Sequence, residues 1–155
     1  MSAKVDIEIT VNGMSKQVSV AANKSTLDML RDQLDLKGAK EACGEGECGA
    51  CTIIVDDISV CSCLMYAVDC DGRKIETVEG LQTDEGLAPI QQAFVDNGAI
   101  QCGYCIPGMV MQAKHILNNH TSPRVEDIQR GLEGNICRCT GYRKIFDAIA
   151  EVADS

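Results

Sequence analysis

The chain has 155 residues, of which 45% are hydrophobic and 3% aromatic, and ten are cysteines. The 14 basic and 23 acidic residues give a net charge of −9, so the chain lacks the basic stripe that nucleic-acid binding requires. The opening residues contain no signal-type apolar stretch, and no segment approaches the ~20 apolar residues of a membrane span, so we expect a cytoplasmic protein. Because structural disulfides are rare in the cytoplasm, the cysteines favour metal binding.

The first half of the chain has the pattern of short strands. Hydrophobic and polar residues alternate over residues 5–11, and Asn12-Gly13 then predicts a hairpin turn into a second strand. Ser25 is a helix-capping residue, and the short helix that follows is predicted to end at Gly38. Further strands are predicted at residues 52–55, 58–60 and 74–78.

The second half of the chain, after residue 86, has helical periodicity. Proline at a first turn and glycine or asparagine at an exit mark the ends of the predicted helices. These signals predict helices beginning near Pro89, near Pro107 and after Ser122-Pro123, and a last helix over residues 142–153. Four short helices with close connections predict a compact bundle.

The first cysteine motif is Cys43-GEGE-Cys48-GA-Cys51, followed by a more distant cysteine. This spacing is typical of plant-type ferredoxins, in which four thiolates hold a two-iron cluster. Glycines permit the backbone conformations by which a tight loop turns its N–H groups toward the sulfurs, and the loop has three of them, Gly44, Gly46 and Gly49. The alternative is a glycine-rich loop with buried cysteines.

The fourth ligand of this motif is left open by the spacing. Cys61 and Cys63 both follow Cys51 and are two positions apart, so on a strand they would face the same side. The spare cysteine of this pair, and Cys70 as well, is expected to be a small buried apolar side chain.

The second cysteine motif consists of Cys102-x2-Cys105 and, further along, Cys137-x-Cys139. Each pair is predicted to stand at a helix start, where the positive end of the helix dipole stabilises thiolate. Zinc is the alternative to an iron–sulfur cluster here, although the usual zinc pattern has C-x2-C in both pairs.

Four segments together resemble one family. They are CGEGECGAC at 43–51, SCL at 62–64, QCGYCIPG at 101–108 and CRCTGY at 137–142. In this order and spacing they resemble the iron–sulfur subunit of molybdenum hydroxylases, the xanthine dehydrogenase and aldehyde oxidase family. The resemblance covers nearly the whole chain. It implies an α+β chain with a β-grasp plant-type ferredoxin domain at 1–79 and a four-helix bundle-like iron–sulfur domain at 80–155.

The resemblance also implies the ligand sets. It assigns the first [2Fe–2S] cluster to Cys43, Cys48, Cys51 and Cys63, and the second to Cys102, Cys105, Cys137 and Cys139. It therefore favours Cys63 over Cys61, and iron–sulfur over zinc at the second motif. Gln101 and Cys139 match residues that lie beside the molybdopterin in such enzymes. One departure is Ile106, where the family usually has threonine.

The function that the resemblance implies is electron relay within a heteromeric enzyme. Electrons would leave the molybdopterin of a large subunit, cross the helical-domain cluster and the ferredoxin-domain cluster, and reach FAD on a medium subunit. The chain has no G-x-G-x-x-G fingerprint or P-loop, so we expect no substrate chemistry on it. The segment GEGECGAC resembles that of xanthine- and nicotinate-type members more than that of carbon-monoxide-type ones, which implies an N-heterocyclic substrate, with aldehydes second. The alternative function is a free-standing two-cluster ferredoxin-like carrier, for which the helical half would be superfluous.

Overall fold

The computed structural model describes residues 4–154, which form a five-stranded mixed sheet followed by helices. The strands are β1 (Lys4–Val11), β2 (Met14–Ala21), β3 (Thr52–Val55), β4 (Ile58–Cys61) and β5 (Lys74–Glu76). Their order across the sheet is β2-β1-β5-β3-β4. The central pair β1 and β5 is parallel, whereas the other neighbouring strands are antiparallel.

The helices are α1 (Thr26–Asp28), α2 (Pro89–Asp96), α3 (Ile106–Asn119), α4 (Val125–Gly131) and α5 (Arg143–Ala153). The last four correspond to the four helices predicted from the sequence. Within residues 4–154, none of these helices has the length and apolar character needed to cross a membrane.

In two hairpins of the sheet, the turn consists of two residues with positive φ. Asn12 and Gly13, with φ of 49° and 79°, connect β1 to β2 as the sequence predicted. Asp56 and Asp57, with φ of 47° and 67°, connect β3 to β4 in the same way. Positive φ at both central residues matches the right-handed twist of the flanking strands.

The first helix begins as predicted and ends early. The hydroxyl of Ser25 caps α1, which continues as a π-helical turn over Met29–Gln33. The predicted end at Gly38 is wrong, because Asp35 is the residue that turns left-handed, with φ of 56°. The guanidinium of Arg31 holds the following loop by donating hydrogen bonds to the carbonyls of residues 37 and 39.

The sheet and the helices bury two cores that meet at β3. Ile53 and Val55 of this strand point into the core of the sheet half, and Ile54 points into the helical core, where α3 packs against β3. Full burial of one such side chain contributes about 1.5–3 kcal/mol. The largest fully buried side chains are Ile9, Leu27, Met29, Leu30, Ile53, Ile75, Phe94, Met109, Met111, Ile128, Leu132 and Ile145.

Candidate metal centres

The first cysteine loop spans residues 43–51, just before β3, and contains no regular helix or strand. Three of its glycines, Gly44, Gly46 and Gly49, have φ of 68°, 78° and 66°, which side-chain-bearing residues rarely adopt. This winding turns backbone amides inward, and the N–H of Glu45 donates to Cys43 Sγ at 3.4 Å. The loop therefore presents hydrogen-bond donors to its own sulfur.

The thiol of Cys43 is more acidic than an ordinary cysteine thiol, because its pKa is lowered. Its pKa falls to about 6, first through the hydrogen bond from the Glu45 amide and then through the neighbouring thiol of Cys48. Hydrogen bonds to the charged form favour that form. The lowered pKa favours the thiolate form of Cys43, which is the form that binds metal.

Five thiols converge around this loop. Burial first, and the thiol of Cys51 second, raise the pKa of Cys63 to about 12. Burial likewise raises the pKa of Cys61 to about 11, with contributions from Cys51, Cys48 and Cys43 in that order. The structure therefore brings together all four predicted ligands of the first motif and the spare Cys61.

Cys61 and Cys63 make opposite hydrogen bonds with the same residue. The backbone N–H of Gly46 hydrogen-bonds to the sulfur of Cys63, which opposes the stronger effects of burial and of the Cys51 thiol that raise the pKa of Cys63. The Sγ of Cys61 lies 3.5 Å from the carbonyl oxygen of Gly46, to which its thiol donates. A thiolate has no proton to donate, so the contact of Cys61 with a carbonyl requires a protonated thiol, whereas the contact of Cys63 with an N–H favours a thiolate.

Cys70 lies away from this group, in the core of the sheet half. Its side chain is fully buried, and its Sγ lies 3.2 Å from the hydroxyl of Thr26. It is a small buried side chain, as its sequence context suggested.

The second group contains the remaining four cysteines. Cys105 directly precedes the first residue of α3, and Cys137 and Cys139 lie in the loop between α4 and α5. Burial, followed by the thiols of Cys137 and Cys102, raises the pKa of Cys105 to about 12. Cys102 is also the main cause of the raised pKa of Cys139. The structure thus brings both predicted pairs into one group.

The prediction that each pair stands at a helix start is wrong for the second pair. Helix α5 begins at Arg143, beyond Cys137 and Cys139, because Tyr142 adopts a left-handed φ of 69° that separates the loop from the helix. The stabilisation of Cys137 comes instead from Thr140, whose hydroxyl and amide donate to Cys137 Sγ at 3.0 and 3.4 Å. Burial opposes ionisation of Cys137, but these hydrogen bonds outweigh it and its pKa is lowered.

The second group has an inner and an outer edge. Cys137 is 8% exposed and Cys105 is half-buried, whereas Cys102 and Cys139 are exposed. Gln101 is also exposed, directly beside Cys102. The outer edge of this group is therefore open to a partner molecule.

Sequence reasoning did not identify the polar residues that support the second group. Thr140 contacts a cysteine sulfur, the hydroxyl of Tyr142 accepts the N–H of Cys137 at 2.8 Å, and Asn135 lies buried just before the pair. Thr140 and Tyr142 belong to the CRCTGY segment, whereas closeness in sequence to Cys137 is the signal that could have identified Asn135.

The donor sets of the two groups can be compared with what a two-iron cluster requires. A [2Fe–2S] cluster is held by four thiolates, and hydrogen bonds to the sulfurs help to set its potential. Two groups of cysteine thiols, with backbone and hydroxyl donors to Cys43 and Cys137, fit [2Fe–2S] clusters.

Comparisons with known proteins agree with this fit. Residues 9–85 match the family described as 2Fe-2S iron-sulfur cluster binding domain, and residues 77–150 match the [2Fe-2S] binding domain family. The chain is 43% identical to the nicotinate dehydrogenase small FeS subunit of Eubacterium barkeri over 146 residues, which are 94% of this chain and 93% of the relative. It is 39% identical to the xanthine dehydrogenase iron-sulfur-binding subunit of Escherichia coli O157:H7, covering 97% of this chain and 95% of that one.

A solved structure gives the same answer. The chain is similar to one in the crystal structure of quinoline 2-oxidoreductase from Pseudomonas putida 86, with a TM-score of 0.95 and 40% identity over 98% of this chain and 94% of that chain. The two matched domains show two [2Fe–2S] clusters, and the relatives are oxidoreductase subunits of similar length. The chain therefore belongs to the family of small iron–sulfur subunits of molybdenum hydroxylases, the xanthine dehydrogenase family, and acts in electron transfer.

Proposed function

We propose that this chain relays electrons from a molybdopterin centre on a large partner subunit to FAD on a medium partner subunit. The observation that carries the proposal is the arrangement of two cysteine groups, one of which is exposed at Cys102 and Cys139. When bound, the clusters would supply one-electron carriers, and the protein would set their positions and potentials.

The proposed ligands of the first cluster are Cys43, Cys48, Cys51 and Cys63. Support for Cys63 comes from the Gly46 amide, which donates to its sulfur, whereas Cys61 donates to the carbonyl of the same residue. We therefore assign Cys61 as a protonated neighbour of the cluster rather than a ligand. The proposed ligands of the second cluster are Cys102, Cys105, Cys137 and Cys139.

The proposed direction of transfer rests on the exposed edge of the second group. Gln101 and Cys139 are both exposed there, which suits contact with the molybdopterin of the large subunit. The first group would then deliver electrons toward the FAD-binding subunit.

The proposed domain organisation is a β-grasp ferredoxin domain at 1–79 and a four-helix bundle-like domain at 80–155. The mixed sheet with its parallel central pair supports the first assignment, and the core shared by α2, α3, α4 and α5 supports the second. A 3₁₀ turn over Val78–Leu81 lies at the proposed boundary.

The proposed substrate of the complete enzyme is an N-heterocycle, which the large subunit would select. Nicotinate, xanthine and quinoline, named in the related proteins above, are all of this class. An aldehyde remains the second candidate.

Isolation of the tagged chain from its native host tests the proposal. We expect two larger chains to copurify with it, together with molybdenum and FAD. A stable chain that carries both clusters and purifies alone would contradict the relay-subunit proposal and indicate a free-standing electron carrier.

A further inference from the structure

The side chain of Asn135 connects the two cysteine groups. It lies between α4 and α5, just before Cys137, and is 5% exposed. Its Nδ2 donates to the carbonyl oxygen of Gly49 at 3.0 Å and to Oγ1 of Thr52 at 3.2 Å. An asparagine amide carries two donor protons, so one is used on the loop of the first group and the other on Thr52, the first residue of β3.

The packing around Gly49 makes this contact tight. A Cβ on Gly49 would lie 2.5 Å from Asn135 Nδ2 and from the carbonyl oxygen of Gly134. From the other direction, a Cβ on Gly108 would lie 2.1 Å from the Gly49 carbonyl oxygen. Gly49 is therefore enclosed by two segments that carry cysteines of the second group, since Gly108 follows Cys105 on α3.

The backbone beside Asn135 is tied to a cysteine of each group. The N–H of Ile136 donates to the carbonyl of Cys48 at 2.9 Å. The hydroxyl of Tyr142 donates to the carbonyl of Asn135 at 3.3 Å and accepts the N–H of Cys137 at 2.8 Å. One short segment thus contacts both groups directly.

We propose that Asn135 is a positioning residue that fixes the separation and relative orientation of the two cluster sites, on which electron exchange between them depends. This inference rests on the ligand sets proposed above. A buried amide that uses its protons on the facing loop and on the strand after it leaves that loop little freedom, because a shift would leave the buried amide of Asn135 without partners.

Electron paramagnetic resonance of the chain loaded with both clusters and fully reduced tests the proposal. Two paramagnetic centres held at a fixed distance split each other's signals at low temperature. In Asn135→Ala we expect both signals to remain and their mutual splitting to be lost. The control is Lys114→Met, which removes the ion pair with Glu76 between the same two halves, further along α3. This control should keep the splitting.

The outcomes separate the proposal from its alternatives. Unchanged splitting in Asn135→Ala, or equal loss in Lys114→Met, would overturn it. If Asn135→Ala does not retain both clusters, Asn135→Leu decides, because it keeps a side chain of similar size and removes both donor protons, while the hydroxyl of Thr52 still donates to the carbonyl of Gly49. An altered splitting in Asn135→Leu supports the proposal, and an unaltered one overturns it. A parent chain with one signal instead of two would refute the ligand assignment itself.

Discussion

Gly49→Ala should destabilise binding of the first cluster far more than Gly44→Ala. Both glycines lie in the same loop with nearly the same φ, 66° and 68°. A left-handed conformation costs a residue with a Cβ roughly 1–2 kcal/mol, and this cost is common to both variants. Their surroundings differ, because a Cβ on Gly44 would meet nothing within 4 Å.

The additional cost at Gly49 follows from its contacts. Its Cβ would lie 2.5 Å from the amide of Asn135 and from a backbone carbonyl, so the Asn135 side chain must move away. That movement breaks the two hydrogen bonds of its Nδ2, each worth about 1 kcal/mol. The extra destabilisation is therefore about 2 kcal/mol, which corresponds to roughly thirtyfold in an equilibrium or rate constant.

The loss of cluster absorbance in mild denaturant with an iron chelator measures this difference. When the loop opens and closes faster than iron is removed, the rate of loss follows the population of the open form. We expect Gly49→Ala to lose the first cluster roughly thirtyfold faster than Gly44→Ala, with paramagnetic resonance identifying which cluster is lost. Equal rates in the two variants would refute the reasoning, because the shared backbone cost would then explain both.

Three further predictions concern the cysteines. Cys43→Ser should lose the first cluster and keep the second, because separate loops supply the two ligand sets; two remaining signals in paramagnetic resonance would contradict this. Cys63→Ala should lose one cluster and Cys61→Ala should keep both by iron analysis, and the reverse pattern would exchange their roles. Thr140→Val should lower the reduction potential of the second cluster by up to about 60 mV, the one-electron equivalent of 1.4 kcal/mol, because a hydrogen bond to sulfur is lost. In a redox titration Thr140→Ser should keep the parent value, and a similar shift in both variants would exclude the hydroxyl as the cause.

The cysteine groups and most of the elements were predictable because their signals are local. Alternation over residues 5–11 and the Asn12-Gly13 pair depend on a few neighbouring residues, and the hairpin formed where expected. The spacing of the cysteines predicted that the thiols of each motif lie close together. The spacing could not show whether Cys61 or Cys63 is the fourth ligand. The two differ in their contacts with Gly46, since Cys61 contacts its carbonyl oxygen and Cys63 contacts its N–H.

The features that sequence reasoning missed depend on contacts distant in the chain. Gly38 was predicted to end a helix, but its backbone packs closely against the side chain of Val78. A Cβ at residue 38 would lie 2.3 Å from Cγ1 of Val78. Cys137 was expected to gain from a helix dipole, and it gains instead from Thr140 in a turn that precedes α5. Asn135 has no recognisable pattern of its own, because its partners Gly49 and Thr52 lie more than 80 positions away.

The two halves of the chain are less independent than their separate motifs suggest. Strand β3 is buried on both faces, so its residues Ile53 and Val55 stabilise one core while Ile54 stabilises the other. The first cysteine loop leads directly into this strand, and α3, which begins at the second group, packs on it. Separating the halves would expose the face of Ile54 and break the Asn135 contacts. The helical half is thus part of the support of the first site as well as the carrier of the second, which favours a fixed two-cluster unit over a ferredoxin with an appended domain.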